Sequence, residues 1–249
     1  MIDTHCHISL EYYDDIPFLI NKIKDAGITK VIVNGCDMKT NLEVLELIKK
    51  YDIVYGAIGF HPTEVDLITD DDLVWLEEHI NDEKIVALGE IGLDFHCDNV
   101  DVNKQLFYFK KQLEIAKRHN KPLIIHSRDA IQKTYNILKE YQLKGSLHCY
   151  SGSVEMANEF IKLGYLIGVG GVVTYNNAKN IVNVVENIDL ENILLETDSP
   201  YLTPEPYRGK KNDSAYIPII AKKIADIKKV DINIVSKTTN SNALRLFDF

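Results

Sequence analysis

Nothing in this sequence supports a membrane span, a disulfide framework or a broadly cationic surface. No apolar run approaches the roughly 18 residues of a membrane span, and Met1-Ile2-Asp3 opens on strand-like residues with no basic segment or signal-peptide core. The expectation is a cytoplasmic protein with no membrane partner. The four cysteines, Cys6, Cys36, Cys97 and Cys149, are scattered and form no CxxC pair, which excludes a disulfide framework and a structural zinc site of the usual spacing. Cys6 and Cys149 stand beside candidate ligands, and strand alternation is expected to turn both to the opposite face as packing residues. Cys97 follows His96 in a loop, and no role is legible for it. Cations are also in deficit: 28 Lys and Arg stand against 37 Asp and Glu, a net charge of −9. Non-specific nucleic-acid binding depends on clustered cations that release counterions, so the charge argues against a broad polyanion-binding surface. Bound divalent ions and a few local arginines can still hold one phosphate in an acidic protein.

Short apolar or β-branched runs alternate with longer amphipathic segments over the whole chain, the pattern of repeated βα units around a parallel sheet. The strand candidates are Ile2–His7, Lys30–Asn34, Ile53–Ile58, Ile85–Ile91, Leu123–His126, Ser146–His148, Leu166–Val169 and Ile193–Glu196. With 249 residues and 45% hydrophobic content, the chain can bury a large core, and no linker, repeat or low-complexity tract divides it. The reading is α/β, one domain over residues 1–249, with eight βα units closing a single (β/α)8 barrel. Helical stripes at Leu42, Leu45, Leu47 and Ile48, and at Leu106, Phe109, Leu113 and Ile115, read as core. Tyr216–Lys228 and Asp231–Phe247 read as two further helices, the second capped by Asp231. Asp70-Asp71-Asp72 fits a helix N-terminus, where carboxylates meet the helix dipole. Gly168, Gly170 and Gly171 read as a tight strand exit, without the context of a phosphate-cradling loop.

The first run, Ile2-Asp3-Thr4-His5-Cys6-His7, carries two histidines on one face of a strand, so both imidazoles can reach one metal ion. An HxH alone has little specificity. Its weight comes from Glu90, His126, His148 and Asp198, each at or just beyond the C-terminal end of a strand candidate. Burying several such side chains together is costly unless they pair or bind metal. In a parallel barrel, loops at the C-terminal ends of the strands build the active site, and the candidates lie at those ends. Four His, one Glu and one Asp suit Mg, Mn or Zn alike. Six donors exceed the need of one tetrahedral ion, and Glu90 can bridge two ions about 3.5–4 Å apart. Two divalent ions and an activated water, with Asp198 as its base, make hydrolysis the expected reaction.

Beyond these residues, IDTHCH at the start, GFHP at Gly59–Pro62, GEIGLD at Gly89–Asp94, IIHSRDA at Ile124–Ala130 and ETDSPYLTP at Glu196–Pro204 together resemble the TatD family of metal-dependent hydrolases. The resemblance implies a TIM barrel related to the amidohydrolases, with deoxyribonuclease activity of 3'–5' exonuclease type on single strands or DNA ends. It implies one ion on His5, His7, Glu90 and Asp198 and a second on Glu90, His126 and His148. His61, in GFHP, is implied beside the scissile phosphate as hydrogen-bond donor or acid. The PYRGKKN stretch, Pro206–Asn212, is similar to the family's loop after the last strand, so Arg208 and Asn212 are expected substrate contacts, Arg208 through its planar fork. Arg128, two residues after His126, either points into the same pocket or pairs near the following helix. Glu196 is expected to orient a ligand histidine, and Asp3 to be a buried acceptor behind the ligands. Phe95-His96 and Ser214 depart from the family pattern without removing a ligand, and His96 is expected on a surface loop.

Three functions compete. The leading one is the two-metal deoxyribonuclease, working as a monomer. The second keeps the metal-activated water and changes the bond, hydrolysing an amide or ester such as the D-aminoacyl bond of a mischarged tRNA. The third is a catalytically silent binding protein, which the complete ligand set disfavours, since six clustered polar groups without metal would only destabilise the pocket.

Overall fold

Strands buried on both faces need no polar alternation, and each of the apolar runs folds as such a strand. The computed structural model, which describes residues 1–96 and 101–249, contains β1 (Ile2–Cys6), β2 (Lys30–Asn34), β3 (Val54–Ile58), β4 (Ile85–Asp94), β5 (Leu123–Arg128), β6 (Gly145–Leu147), β7 (Tyr165–Val169) and β8 (Ile193–Leu195). The eight pair in chain order, parallel throughout. β8 meets β1 again through the Thr4 hydroxyl, which donates to the Leu195 carbonyl at 3.0 Å. Beyond the strand ends, the His7 N–H donates to Ser199 at 2.7 Å and the Asp198 N–H to His5 at 2.9 Å. The result is a (β/α)8 TIM barrel, as expected. Cys97 lies outside the described residues.

Two boundaries differ from the sequence reading in ways that matter for the site. β4 and β5 run on to Asp94 and Arg128, whereas β6 and β8 end at Leu147 and Leu195, so His148 and Glu196 stand on loops.

Around the sheet lie α1 (Ile16–Asp25), α2 (Met38–Lys50), α3 (Asp70–His79), α4 (Val102–His119), α5 (Ile131–Tyr141), α6 (Val154–Lys162), α7 (Lys179–Asn187), α8 (Ile217–Lys228) and α9 (Ile232–Phe247). Their starts are chemically specified. Asp37 with Thr40 and Thr69 with Asp72 form reciprocal capping boxes, and Asp231 caps α9 as read. Asp70, Asp71 and Asp72 occupy the first turn of α3. Of the α2 stripe, Leu45, Leu47 and Ile48 are buried as read, whereas Leu42 is exposed and Val44 is buried in its stead, because the face toward β3 is set by packing. Among the described residues no helix is long and apolar enough to cross a membrane.

Alternation along the strands sorts the core in two. Val31, Val33, Leu123, Ile125, Ile193 and Leu195 join the large cluster packed on the helices. The residues between them, Ile32, Ile124 and Leu194, join a separate cluster inside the barrel with Ile2, Ala57 and Leu166. Phe247 and Ala243 of α9 belong to that inner cluster, so the last helix closes the end at which the strands begin.

Candidate metal centre

At the opposite end the strands hand over to loops, and the backbone there has lost its ladder partners. Buried side-chain amides take over. Asn41 of α2 holds both the N–H and the carbonyl of Gly59 at 3.0 and 2.8 Å. Gln112 of α4 holds Phe60 in the same way at 2.8 and 3.1 Å, and Gln105 holds Asp94 at 2.8 and 2.7 Å. These clamps fix the segments carrying His61 and the end of β4. Asp3 does the same for β1 and β8, accepting from the N–H groups of His5 and Thr197 at 3.2 and 3.0 Å and from the Thr197 hydroxyl at 2.6 Å. It is the buried acceptor expected, though it steadies backbone and touches no imidazole in these bonds.

Glu90 stands at the centre. Its Oε2 lies 3.5 Å from His5 Nε2 and 3.6 Å from His7 Nε2. Asp198 Oδ1 lies 3.6 Å from each of those nitrogens, which are 3.3 Å from one another. Donors bonded at about 2.0–2.1 Å in tetrahedral directions stand about 3.3–3.4 Å apart, so this set has the spacing of a cation site. The other oxygen, Oε1, lies 2.8 Å from His126 Nδ1 and 2.7 Å from His148 Nε2, with those nitrogens 3.1 Å apart. Neighbouring corners of an octahedron with bonds of about 2.0–2.1 Å stand about 2.8–3.0 Å apart, a close match. His61 Nε2 is 3.4 Å from Oε1, completing three donor groups able to hold a metal ion: His5, His148 and Asp198; His5, His7 and Glu90; His61, Glu90 and His126.

Hydrogen bonds behind the donors point them inward. His7 Nδ1 is 3.0 Å from the Asn34 carbonyl, which places the proton there and leaves Nε2 free to coordinate. His126 Nε2 is 3.2 Å from Asp94 Oδ2, which turns Nδ1 toward Glu90. Burial would raise the Glu90 carboxyl, but His148, His61 and His5 around it outweigh that and hold it well below the usual carboxylate range. Burial, aided by His148, lowers His5 to about 4, so its lone pair is available at neutral pH. At Asp94 the His126 bond overcomes burial and holds the carboxyl at about 2. Burial pushes Glu196 up to about 8 despite the nearby His148.

Glu196 departs from its expected role. Its Oε1 accepts the Cys149 N–H at 2.5 Å, so among the described contacts it fixes the backbone after His148 and no imidazole. Gly168 leaves the space this carboxylate occupies, where a side chain would collide with it. Cys149 is a correction too: with β6 ended and φ at +43°, alternation no longer governs it, and it lines the cavity. Cys6 is buried as read.

Five of the six candidate ligands, His7, Glu90, His126, His148 and Asp198, line a cavity of about 830 Å³, and His5 lies buried behind them. His61 and Arg128 are in its wall, so Arg128 faces the pocket side of the two alternatives. Arg208 stands outside that wall, its guanidinium 4.4 Å from the centre of the Tyr175 ring. Asn212 is fully buried, its amide given to the carbonyls of Thr197 and Tyr201 at 2.9 and 2.6 Å, where it braces the β8 loop and is shielded from any substrate. His96 is exposed and pairs with Asp129 at 3.0 Å. Sequence reasoning overlooked Asp94, four residues after Glu90 and so two strand periods along the same face. It also overlooked Cys36, whose sulfur is 3.8 Å from Glu90 Oε2, and Tyr12 and Glu64 in the cavity wall; Tyr201, which the sequence left unassigned between stacking and packing, lies in that wall too.

Comparison with known proteins agrees with this architecture. The sequence model of the family described as TatD related DNase matches residues 2–248. The metal-dependent hydrolase YabD of Bacillus subtilis is 40% identical over 251 residues, covering 99% of this chain and 98% of its own. YjjV of Escherichia coli, also described as a metal-dependent hydrolase, is 32% identical over 252 residues, covering 99% and 97%. The crystal structure of YjjV, a TatD homolog, superposes with a TM-score of 0.92 at 30% identity, covering 100% of this chain and 98% of that one. An organophosphorus hydrolase of Deinococcus radiodurans shares the fold at a TM-score of 0.66 and 12% identity, covering 99% and 92%. The chain therefore belongs to the TatD family of metal-dependent hydrolases.

Proposed function

We propose that this chain is a two-metal deoxyribonuclease, cleaving phosphodiester bonds at DNA ends or in single strands, with 3'–5' exonuclease-like action. The observation that carries the proposal is Glu90, whose two oxygens face two different donor sets, His5, His7 and Asp198 on one side and His126 and His148 on the other. The family description as TatD related DNase supports the choice of bond. Divalent ions bound at these sets, Mg, Mn or Zn, would acidify a water and neutralise the phosphate.

The chain's own groups supply the rest. Asp198 lies in the cavity wall with its carboxyl held below the ordinary range, because the neighbouring His7, His148 and His5 outweigh burial. It is therefore ionised and able to accept the proton of the attacking water. His61 faces the same space, steadied by the Thr63 hydroxyl 2.7 Å from Nδ1, and contacts the phosphate or its leaving oxygen. Arg128 offsets remaining phosphate charge from the wall.

The test is cleavage of end-labelled single-stranded DNA by metal-stripped protein reconstituted separately with Mg, Mn and Zn. The expected result is a metal-dependent ladder from one end that disappears in Glu90→Gln and Asp198→Asn. Full activity in both variants overturns the mechanism. No cleavage with any metal overturns the nuclease reading and transfers the proposal to an acyl bond such as that of a mischarged aminoacyl-tRNA.

A further inference from the structure

On the His7 and Asp198 side of the cavity rim, two tyrosines 189 positions apart meet. Tyr12, from the loop after β1, and Tyr201, from the loop after β8, place their hydroxyls 3.1 Å apart and their rings 5.9 Å apart at 72°. The Tyr201 ring also meets the His7 ring edge-on at 6.4 Å, and both tyrosines line the cavity. Tyr201 is 51% exposed, so core packing does not account for its place.

The backbone beneath it is nevertheless tightly held. The Tyr201 N–H donates to Asp198 at 2.9 Å, and its carbonyl accepts the amide of the buried Asn212 at 2.6 Å. Leu202, next in the chain and also on the cavity wall, sits at φ +53°, a region that bulky residues seldom occupy. Its carbonyl lies in the space that Gly171 leaves by lacking a side chain. Tyr12 is held in turn by the Lys211 ammonium, which donates to its carbonyl. A flat aromatic face, exposed to solvent and fixed beside one donor set, is preorganised for a planar partner. Arg128 extends from β5, on the far side of a sheet whose first and last strands carry the tyrosines. A phosphate over the metal centre would therefore have an aromatic surface on one side and a cation on the other.

We propose that Tyr201, braced by Tyr12, stacks the base of the terminal nucleotide whose phosphodiester is cleaved, so that this pair selects a base-bearing end. The inference rests on the nuclease reading above. Base stacking on an aromatic side chain is worth about tenfold to a hundredfold in binding, and the same factor is expected in kcat/KM.

The experiment uses two single-stranded oligonucleotides, identical except that the terminal sugar at the degraded end carries adenine in one and a tetrahydrofuran abasic residue in the other. Wild-type protein with its metal is expected to prefer the adenine end by about tenfold to a hundredfold. Tyr201→Leu brings the ratio near one, and Tyr201→Phe, which keeps the ring, restores it. A variant damaged only in its folding lowers both rates and leaves the ratio. In rapid mixing, a terminal 2-aminopurine is quenched by wild type and by Tyr201→Phe before cleavage, and remains bright with Tyr201→Leu. Equal cleavage of the two ends by wild type, or an unchanged preference in Tyr201→Leu, overturns the inference and leaves the nuclease reading intact. Cleavage of neither oligonucleotide overturns both.

Discussion

Where the strands begin, the barrel interior is filled by Ile2, Ile32, Ala57, Ile124, Leu166 and Leu194, with Phe247 inserted from α9. Where they end, the interior is filled by His5 and Glu90, with His148 just beyond β6. The residues named at both ends are buried, but at the second end Glu90 and His148 border a cavity of about 830 Å³. The first end is held by burial of apolar surface, which is non-directional and needs only matching volume. The second is held by directed contacts, because buried charges are tolerable only when paired or coordinated. One barrel thus separates what keeps the chain folded from what does chemistry, and substitutions at the two ends should fail in different ways.

The largest effect is expected at the metal end. Glu90→Gln removes the carboxylate whose oxygens face both donor sets and should lower kcat/KM about a thousandfold, roughly 4 kcal/mol of transition-state stabilisation. Circular dichroism should find the fold retained, and loss of the folded signal would mean that the two ends are not separable. Next, Phe247→Ala opens a hole at the apolar end. It should cost about 3–5 kcal/mol in urea unfolding while kcat/KM of the folded enzyme stays within about twofold. A large fall in kcat/KM under native conditions would show that the plug reaches the metal centre.

A smaller effect sharpens the comparison within the polar end. Asp94 reaches the cluster through His126, so Asp94→Asn should weaken metal affinity or activity about ten- to a hundredfold, and metal titration followed by calorimetry would reveal an unaltered affinity if His126 needs no such support. The smallest effect lies on the surface, where Arg118 binds Glu77 through two nitrogens at 2.7 Å. That pair, foremost, holds the Glu77 carboxyl at about 2, below its ordinary 4.5. A lowered carboxylate contributes stability above pH 4.5 that is lost as pH falls toward 2. Because the pair is solvent-exposed, the amount is a few tenths of a kcal/mol. Urea midpoints measured from pH 5 to pH 3 should therefore fall slightly less steeply for Glu77→Gln than for wild type, and identical slopes would show that the bridge contributes nothing.

How much of this was readable depends on the kind of signal. The strands were legible because burial on both faces leaves continuous apolar runs, and the convergence of six candidate ligands was legible because donors recur at strand ends. Asp94 carried a readable signal as well, sharing the strand face of Glu90. Asn41, Gln105 and Gln112 carried none: a polar amide in an amphipathic helix reads as solvent-facing, yet all three are fully or almost fully buried and bonded to loop backbone. Asn212 misled in the opposite direction, since a motif residue in a loop after the last strand suggested ligand contact and proved to be an internal brace.

By itself the sequence determined the βα alternation, the parallel barrel and the end at which donors collect, because period, burial and ligand chemistry are properties of residues in order along the chain. Only the tertiary structure decided which Glu90 oxygen meets which histidines, that Cys149 turns into the cavity, and that Tyr12 and Tyr201 share one rim. Those outcomes depend on distances across the barrel and on loop conformations beyond the strands, where the period that made the rest readable has ended.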